Sequence, residues 1–200
     1  MGVTASRIAG NPRGSSYRRA NLDWYVEPRS ATKALLAVEK FRGEVWDPAC
    51  GSGNIVSTCR EHGLVAWGSD VERRGYDFGQ TVDFLRDEHR PVDNIICNPP
   101  FSISLDFAKK ALTLATRKVA FVQRLCWLEG QKRAAFLESS PLARVHIFRN
   151  RICMPPGEKK DSPAKGGFIA YAWFVWEHGL VGPATVHWLT AKTDDPFEGL

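Results

Sequence analysis

The sequence predicts an α/β domain built on a mainly parallel sheet with helices on both faces. Three observations carry this expectation. Short apolar runs alternate with segments of helical periodicity, the pattern that βαβ connections produce. The first run, Val45-Trp46-Asp47, passes into the turn Pro48-Ala49-Cys50-Gly51-Ser52-Gly53, which opens a helix at Asn54. A later run, Ile95-Ile96-Cys97, ends in Asn98-Pro99-Pro100-Phe101. Neither proline can donate to a sheet ladder, so the strand stops there and an amide and a ring project on a stiff backbone. Ligands in open α/β sheets sit at such carboxyl ends.

The elements follow in chain order. Residues 1–20 hold Arg7, Arg13, Arg18 and Arg19 with few core-forming side chains, and read as a flexible basic arm before a single domain over 21–200. Trp24 to Pro28 is extended. Ser30 caps a helix to about Lys40, with Ala34, Leu35 and Val38 on one face. After the strand at Val45–Asp47 a helix runs from Asn54 to His62, stopped by Gly63. Leu64 to Ser69 is the second strand, ending at Asp70. Glu72 to Gln80 is polar and irregular, and Asp83-Phe84-Leu85 is a stub of strand or turn. Asp93 to Cys97 is a strand, Ser104 to Thr116 a helix with Ala108, Ala111, Leu112 and Ala115 at i, i+3, i+4, i+7 spacing. Val119 to Leu125, Arg144 to Phe148 and Phe168 to Trp176 are strands, and Glu129 to Glu138 a helix. Residues 149–167 form a basic flexible loop rich in Pro, Gly and Lys. A short edge strand lies near Thr185 to Leu189.

Composition narrows the function. At 44% apolar and 24% charged residues the chain suits an ordinary globular core, and no apolar run approaches the length of a membrane span. No apolar stretch follows the first arginines, so no secretory signal is expected. The five cysteines, Cys50, Cys59, Cys97, Cys126 and Cys153, show no C-x-x-C spacing, which argues against a zinc site and a disulfide framework. The expectations are a reducing cytoplasm, no metal, no membrane, and a monomer or weak dimer. A net charge of +5 favours a polyanionic partner.

Two glycines in the Gly51–Gly53 turn let backbone approach a ligand closely. A dinucleotide fingerprint would want a third glycine where Val56 stands, and a phosphate loop would want Gly-Lys-Ser/Thr. An acidic residue before the glycines, Asp47, points instead to a cationic ligand group. Asp70, at the end of the second strand, stands where carboxylates accept ribose hydroxyls. Asp83 and Phe84 are candidates for an adenine amine and ring.

These two motifs resemble the class I S-adenosylmethionine-dependent methyltransferases that act on the N6 amine of adenine in DNA. The glycine motif precedes Asn98-Pro99-Pro100-Phe101, the gamma-type order, and the likeness to phage-type enzymes spans about residues 24–176. The resemblance implies a single-domain Rossmann-like fold, a seven-stranded sheet with an antiparallel last strand, and S-adenosyl-L-methionine as cofactor. It places Tyr25 to Thr32 over the methionine end of the cofactor. Where the family often reads Thr-Pro, this chain has Glu27-Pro28. No separate target-recognition domain is visible, so the resemblance gives no target sequence. The implied cofactor residues are Tyr25, Pro28, Asp47, Pro48, Ala49, Gly51, Gly53, Asn54, Asp70, Val71, Asp83 and Phe84; the implied catalytic residues are Asn98, Pro99, Pro100 and Phe101.

The adenine amine is a poor nucleophile because its lone pair is delocalised. The Asn98 side-chain carbonyl and the Pro99 main-chain carbonyl can accept its two N–H bonds and favour a pyramidal nitrogen. Phe101 would stack on a base drawn out of the helix. Trp127, Phe148 and Met154 are candidates for the walls of the base pocket. Arg149, Arg151, Lys159, Lys160 and Lys165 form a candidate nucleic-acid contact, most simply with DNA. The competing readings are methylation of an RNA base amine, methylation of a protein glutamine, and a catalytically silent binding module.

Overall fold

The computed structural model describes residues 23–76, 79–160 and 167–192. The arm over 1–20 and Lys165 lie outside the described residues. The strands are β1 (Val45–Asp47), β2 (Ala66–Asp70), β3 (Gln80–Thr81), β4 (Val92–Cys97), β5 (Ala115–Arg124), β6 (Leu142–Phe148), β7 (Tyr171–Glu177) and β8 (Thr185–Leu189). The helices are α1 (Arg29–Val38), α2 (Asn54–Glu61), α3 (Ser104–Leu114) and α4 (Gln131–Ser139).

All eight strands form one sheet in the order β3-β2-β1-β4-β5-β7-β6-β8. The β1–β2, β2–β3, β1–β4, β4–β5 and β6–β8 pairs are parallel, and β7 alone runs against its neighbours β5 and β6. The expected antiparallel last strand is therefore β7, inserted between β5 and β6. Instead of seven strands there are eight among the described residues, because the stretch at Thr185–Leu189 extends the sheet beside β6. Strand order proceeds outward in opposite directions from β1 and β4. The carboxyl ends of these two strands flank the switch point, where connections diverge and leave a crevice. Topology alone thus sets the Gly51–Gly53 turn beside Asn98.

The sheet is buried on both faces. Leu35, Ile55, Val56, Ile96 and Trp173 pack on one side; Trp46, Phe107, Ala111, Phe121 and Trp176 pack on the other. Trp173 and Trp176, on opposite faces of β7, are fully buried, as core residues should be. Their indole N–H groups donate to the Ala31 carbonyl and the Ser140 hydroxyl, both at 2.9 Å.

Several boundaries differ from expectation. Helix α1 is capped by Pro28, without a side-chain bond, rather than by Ser30. Its inward face is Ala31, Leu35 and Leu36, while Val38 is exposed and Glu39 turns inward to Lys118, Arg144 and His146. β3 forms at Gln80–Thr81, before the expected Asp83–Leu85 stub, which is a turn. Its exposed polar residues pair by backbone alone and leave no apolar pattern to read. Helix α3 passes into β5 with no loop, as Ala115 becomes extended. Phe168, the expected start of β7, is almost fully exposed and precedes the strand.

Candidate functional site

The site is a cavity of about 420 Å³ over the switch point. Its walls are the Pro48–Ser52 turn, Asp70 at the end of β2 and Val71 after it, the Val82–Leu85 turn, and Asn98 and Pro100 after β4. A strap over residues 23–27 covers it before entering α1.

The glycine turn needs its glycines. Gly51 and Gly53 have φ of 51° and 83°, backbone that L side chains rarely adopt. A Cβ on Gly53 would lie 2.3 Å from Tyr76 Cδ2, and one on Gly51 would lie 2.9 Å from Trp24 Nε1. The turn is fixed from β2: Cys50 N donates to the Ser69 carbonyl at 2.9 Å, and Gly51 N to Asp70 Oδ2 at 2.9 Å. Asp70 Oδ1 accepts from Glu72 N at 3.1 Å and Arg74 Nε at 3.2 Å. The Arg74 guanidinium lies 4.6 Å over the Trp24 ring.

Asn98 is held by its amide nitrogen. Nδ2 donates to the Tyr25 carbonyl at 2.8 Å and to Glu27 Oε2 at 3.0 Å. Its other polar atom, Oδ1, is buried without a hydrogen-bond partner among the described residues. Buried acceptors are normally satisfied, so such an atom calls for an explanation. The strap that orients Asn98 is stitched on both sides. Ser102 N donates to Asp23 Oδ2 at 2.9 Å, Asn54 Nδ2 to the Glu27 carbonyl at 2.9 Å, and Val26 N to the Pro155 carbonyl at 2.9 Å.

Of the buried carboxylates here, Glu27 and Asp47 have no ion pair among the described residues. Glu27 lines the cavity; burial raises its pKa to about 7, against its own backbone hydrogen bond and the Asn98 bond. Asp47 sits beneath the turn with Oδ1 accepting from Ala49 N at 3.2 Å. Burial, then the charge of Glu27, holds Asp47 well above the usual carboxylate range. Buried acids of one sign with no counter-charge are suited to a cationic ligand.

Of the sequence-predicted residues, Tyr25, Pro48, Ala49, Gly51, Asp70, Val71, Asp83, Phe84, Asn98 and Pro100 line the cavity. Asp83 Oδ1 accepts from Leu85 N at 3.0 Å and shapes the turn, while Phe84 packs on Trp46 and Phe107. Asp47, Gly53, Asn54 and Pro28 support the walls from outside, and Pro99 is buried behind Asn98. Phe101 does not line the cavity. Its ring stacks on Tyr25 at 5.6 Å, with the Arg124 guanidinium 4.8 Å from its centroid.

Three expected pocket walls are core residues instead. Trp127 is buried, with its indole N–H on Ser104 Oγ at 2.8 Å and its ring against Phe174 and Trp176. Phe148 and Met154 join the core on the α1–α2 face of the sheet. Their bulk is better used excluding water from that core than facing a ligand.

Arg149, Arg151, Lys159 and Lys160 are exposed on the segment after β6. That strand parallels β5, so the segment leaves from the same end of the sheet as the cavity. The expected flexible loop is tied to the strap over its described part: Gly157 N donates to the Trp24 carbonyl at 2.9 Å, and Tyr25 bridges Pro156.

Sequence reasoning missed Glu27, Trp24, Asp23 and Arg74 as site residues. Glu27-Pro28 stood out as a departure from Thr-Pro, and that was the available signal for Glu27. Arg74 lies in the polar segment 72–80, whose composition gives no hint of its return to Asp70.

No family model matches the sequence, and no curated protein matches it. Solved structures do match the fold. A modification subunit of a putative type I restriction enzyme from Vibrio vulnificus aligns at 15% identity over 82% of this chain and 46% of that one, with a TM-score of 0.58. A putative RNA methyltransferase from Pyrococcus horikoshii aligns at 16% identity over 78% and 87%, with a TM-score of 0.60. A putative class I S-adenosylmethionine-dependent methyltransferase from Listeria monocytogenes aligns at 15% identity over 84% and 64%, with a TM-score of 0.54. The chain thus spans under half of the Vibrio subunit and just under two thirds of the Listeria protein. Likeness at this identity concerns architecture: the chain has the Rossmann-like fold of class I methyltransferases.

Proposed function

We propose that this protein is an S-adenosylmethionine-dependent methyltransferase that modifies the N6 amine of adenine in DNA. The observation that carries the proposal is Asn98 Oδ1, a buried acceptor without a partner among the described residues, across the switch point from the glycine turn. The residues present fit the cofactor. Asp47 and Glu27 offer buried negative charge to its cationic amino-acid end. Asp70 reaches ribose hydroxyls by exchanging its bond to Arg74. Phe84 and Val71 offer apolar surface to the base.

When bound, S-adenosylmethionine supplies an electrophilic methyl group on a positively charged sulfur. Asn98 Oδ1 accepts one N–H of the target amine and the Pro99 carbonyl the other. Both acceptors favour a pyramidal nitrogen whose lone pair leaves the ring. A preorganised contact of this kind is worth ~3 kcal/mol in the transition state. Tyr25, backed by Phe101, forms the aromatic wall for a base drawn from the stack. The proton leaves after attack, so no general base is needed beforehand. Arg149, Arg151, Lys159, Lys160 and Lys165 meet backbone phosphates, in keeping with the net charge of +5.

The Vibrio restriction-modification likeness supports DNA as the polymer, while the Pyrococcus protein makes RNA the arm to compare. The test offers tritiated S-adenosylmethionine with duplex DNA, single-stranded DNA, RNA and protein extract, followed by nucleoside analysis. The proposal expects label in N6-methyladenine from DNA. Label confined to RNA or protein overturns the substrate, and no transfer to any polymer overturns the activity.

A further inference from the structure

We propose that Glu27 is a positioning residue: ionised by a cationic group entering the cavity, its carboxylate holds the Asn98 amide so that Oδ1 faces the incoming amine. The inference rests on the methyltransferase reading above and adds to it a proton-linked contact on the strap.

The geometry is specific. Asn98 Nδ2 has two acceptors, the Tyr25 carbonyl and Glu27 Oε2, and both belong to the strap. The Tyr25 carbonyl fixes one N–H by backbone. The second N–H depends on a side chain that itself borders the cavity. A hydrogen bond to an ionised carboxylate is shorter and about twice as strong as a neutral one. It also draws electron density toward Oδ1, the atom that must accept from an amine gaining positive charge.

The groups around Glu27 are acidic or neutral apart from Arg74, which lines the same cavity and is ion-paired with Asp70 and Glu72. Asn98 donates from the end of β4, Asp47 lies at the end of β1, and the thiols of Cys97 and Cys50 stand on β4 and the glycine turn. Among the described residues no cation pairs with Glu27 or Asp47. Burial accordingly holds Glu27 near a pKa of about 7, so at neutral pH, before any cation arrives, it carries part of a proton. A cationic ligand favours the ionised form. The proton then passes to the buffer, and the charged carboxylate meets the ligand and Asn98 together. Binding of a cation and orientation of the catalytic amide become one event.

The test is calorimetry of S-adenosylmethionine binding at pH 6 and pH 8, in buffers of different ionisation enthalpy, for the wild-type chain and Glu27→Gln. The ligand's own titration is common to both proteins, so their difference reads Glu27. The ratio of their dissociation constants should change roughly tenfold between the two pH values, as expected for one group titrating near 7. The wild type should release about half a proton more than the variant at pH 7. A constant ratio and equal proton release would assign any linkage to Asp47 and overturn the proposal. Glu27→Asp gives a second measurement: it keeps the charge and withdraws it from Asn98. Its proton release should persist while single-turnover transfer slows at unchanged affinity, and unchanged transfer overturns the positioning role. Absence of S-adenosylmethionine binding by the wild type at either pH instead overturns the methyltransferase reading beneath it.

Discussion

Glu27 makes the ligand-free protein less stable as the pH rises, and Glu27→Gln should remove that loss. The carboxyl has a folded pKa of about 7 against an ordinary value of 4.5. Because the folded value is the higher, the folded chain binds more protons between the two, and stability falls as pH rises through that window. Below about pH 4.5 the group is neutral in both states and costs nothing. Above 7 it is charged in both, and the burial penalty is complete. A shift of this size corresponds to ~3 kcal/mol. For a chain of this length each kcal/mol moves Tm by roughly 2–4 °C. The melting temperature of Glu27→Gln relative to wild type should therefore rise by about 6–12 °C between pH 4.5 and pH 8. Comparing differences across pH cancels whatever Gln itself gains or loses by burial. Thermal melts by circular dichroism, in low salt and without ligand, read it directly. A variant-minus-wild-type difference that does not change with pH would refute the reasoning, because the carboxyl would then titrate like an exposed one.

Other outcomes are expected from the same geometry. Asn98→Ala should abolish methyl transfer yet leave S-adenosylmethionine affinity within severalfold; equal loss of both, by filter assay and calorimetry, would contradict its assigned role. Asp70→Ala should weaken the cofactor about tenfold or more and also loosen the glycine turn, since Gly51 N loses its acceptor; unchanged affinity would remove Asp70 from the site. Neutralising Lys159 and Lys160 together should flatten the slope of log affinity for DNA against log salt by about 2, and an unaltered slope would take the segment after β6 out of the interface. Burial alone would raise the pKa of Glu39, but hydrogen bonds from His146, Arg144 and Lys118 hold it at about 2. Its contribution is present above pH 4.5 and lost as the pH falls toward 2, so Glu39→Gln should flatten acid unfolding over that range.

The sequence made the frame of this fold legible because its punctuation is strong. Gly51, Gly53 and Gly63 mark the ends of α2, Pro99 and Pro100 stop β4, and the apolar runs at β4 and β7 read as buried strands. What escaped is carried by backbone or by single long-range contacts. β3 is two exposed polar residues paired to β2. The α3–β5 junction has no turn residue to mark it. In the site, the resemblance located the glycine turn and Asn98, but the strap was harder. Its importance lies in Tyr25 O and Glu27 Oε2 meeting Asn98 across 73 and 71 positions of chain. Residue types do not encode that meeting; the sheet order does. Trp127, Phe148 and Met154 stay open between core and pocket in the sequence for a related reason, since an aromatic or thioether near a strand end fits both equally well.

The arrangement has a consequence for how the site can work. Asn98 and the glycine turn are each rooted in a buried strand and cannot move far without breaking the core. The strap is anchored differently: it runs into α1, and Tyr25 packs into the core against Phe101. It is held by hydrogen bonds to Asn98, Ser102 and Asn54 and to the segment 155–157. That segment lies between the exposed basic residues Arg151 and Lys159. A polyanion bound at those residues, as the proposed function has it, would pull on the same backbone that pairs with Trp24 and Val26. On the proposed function, the cationic ligand and the polymer would then act on one short strap from opposite ends, Glu27 at the cavity and Trp24 at the basic segment. The link is tested at Gly157: Gly157→Ala places a Cβ 2.0 Å from Trp24 Cδ2 and must displace the ring, which also lines the cavity, so the variant's own affinity without DNA is the baseline from which the effect of DNA is read. Affinity for S-adenosylmethionine should then cease to rise in the presence of DNA. If the two ligands still enhance each other's binding in that variant, the strap does not connect them.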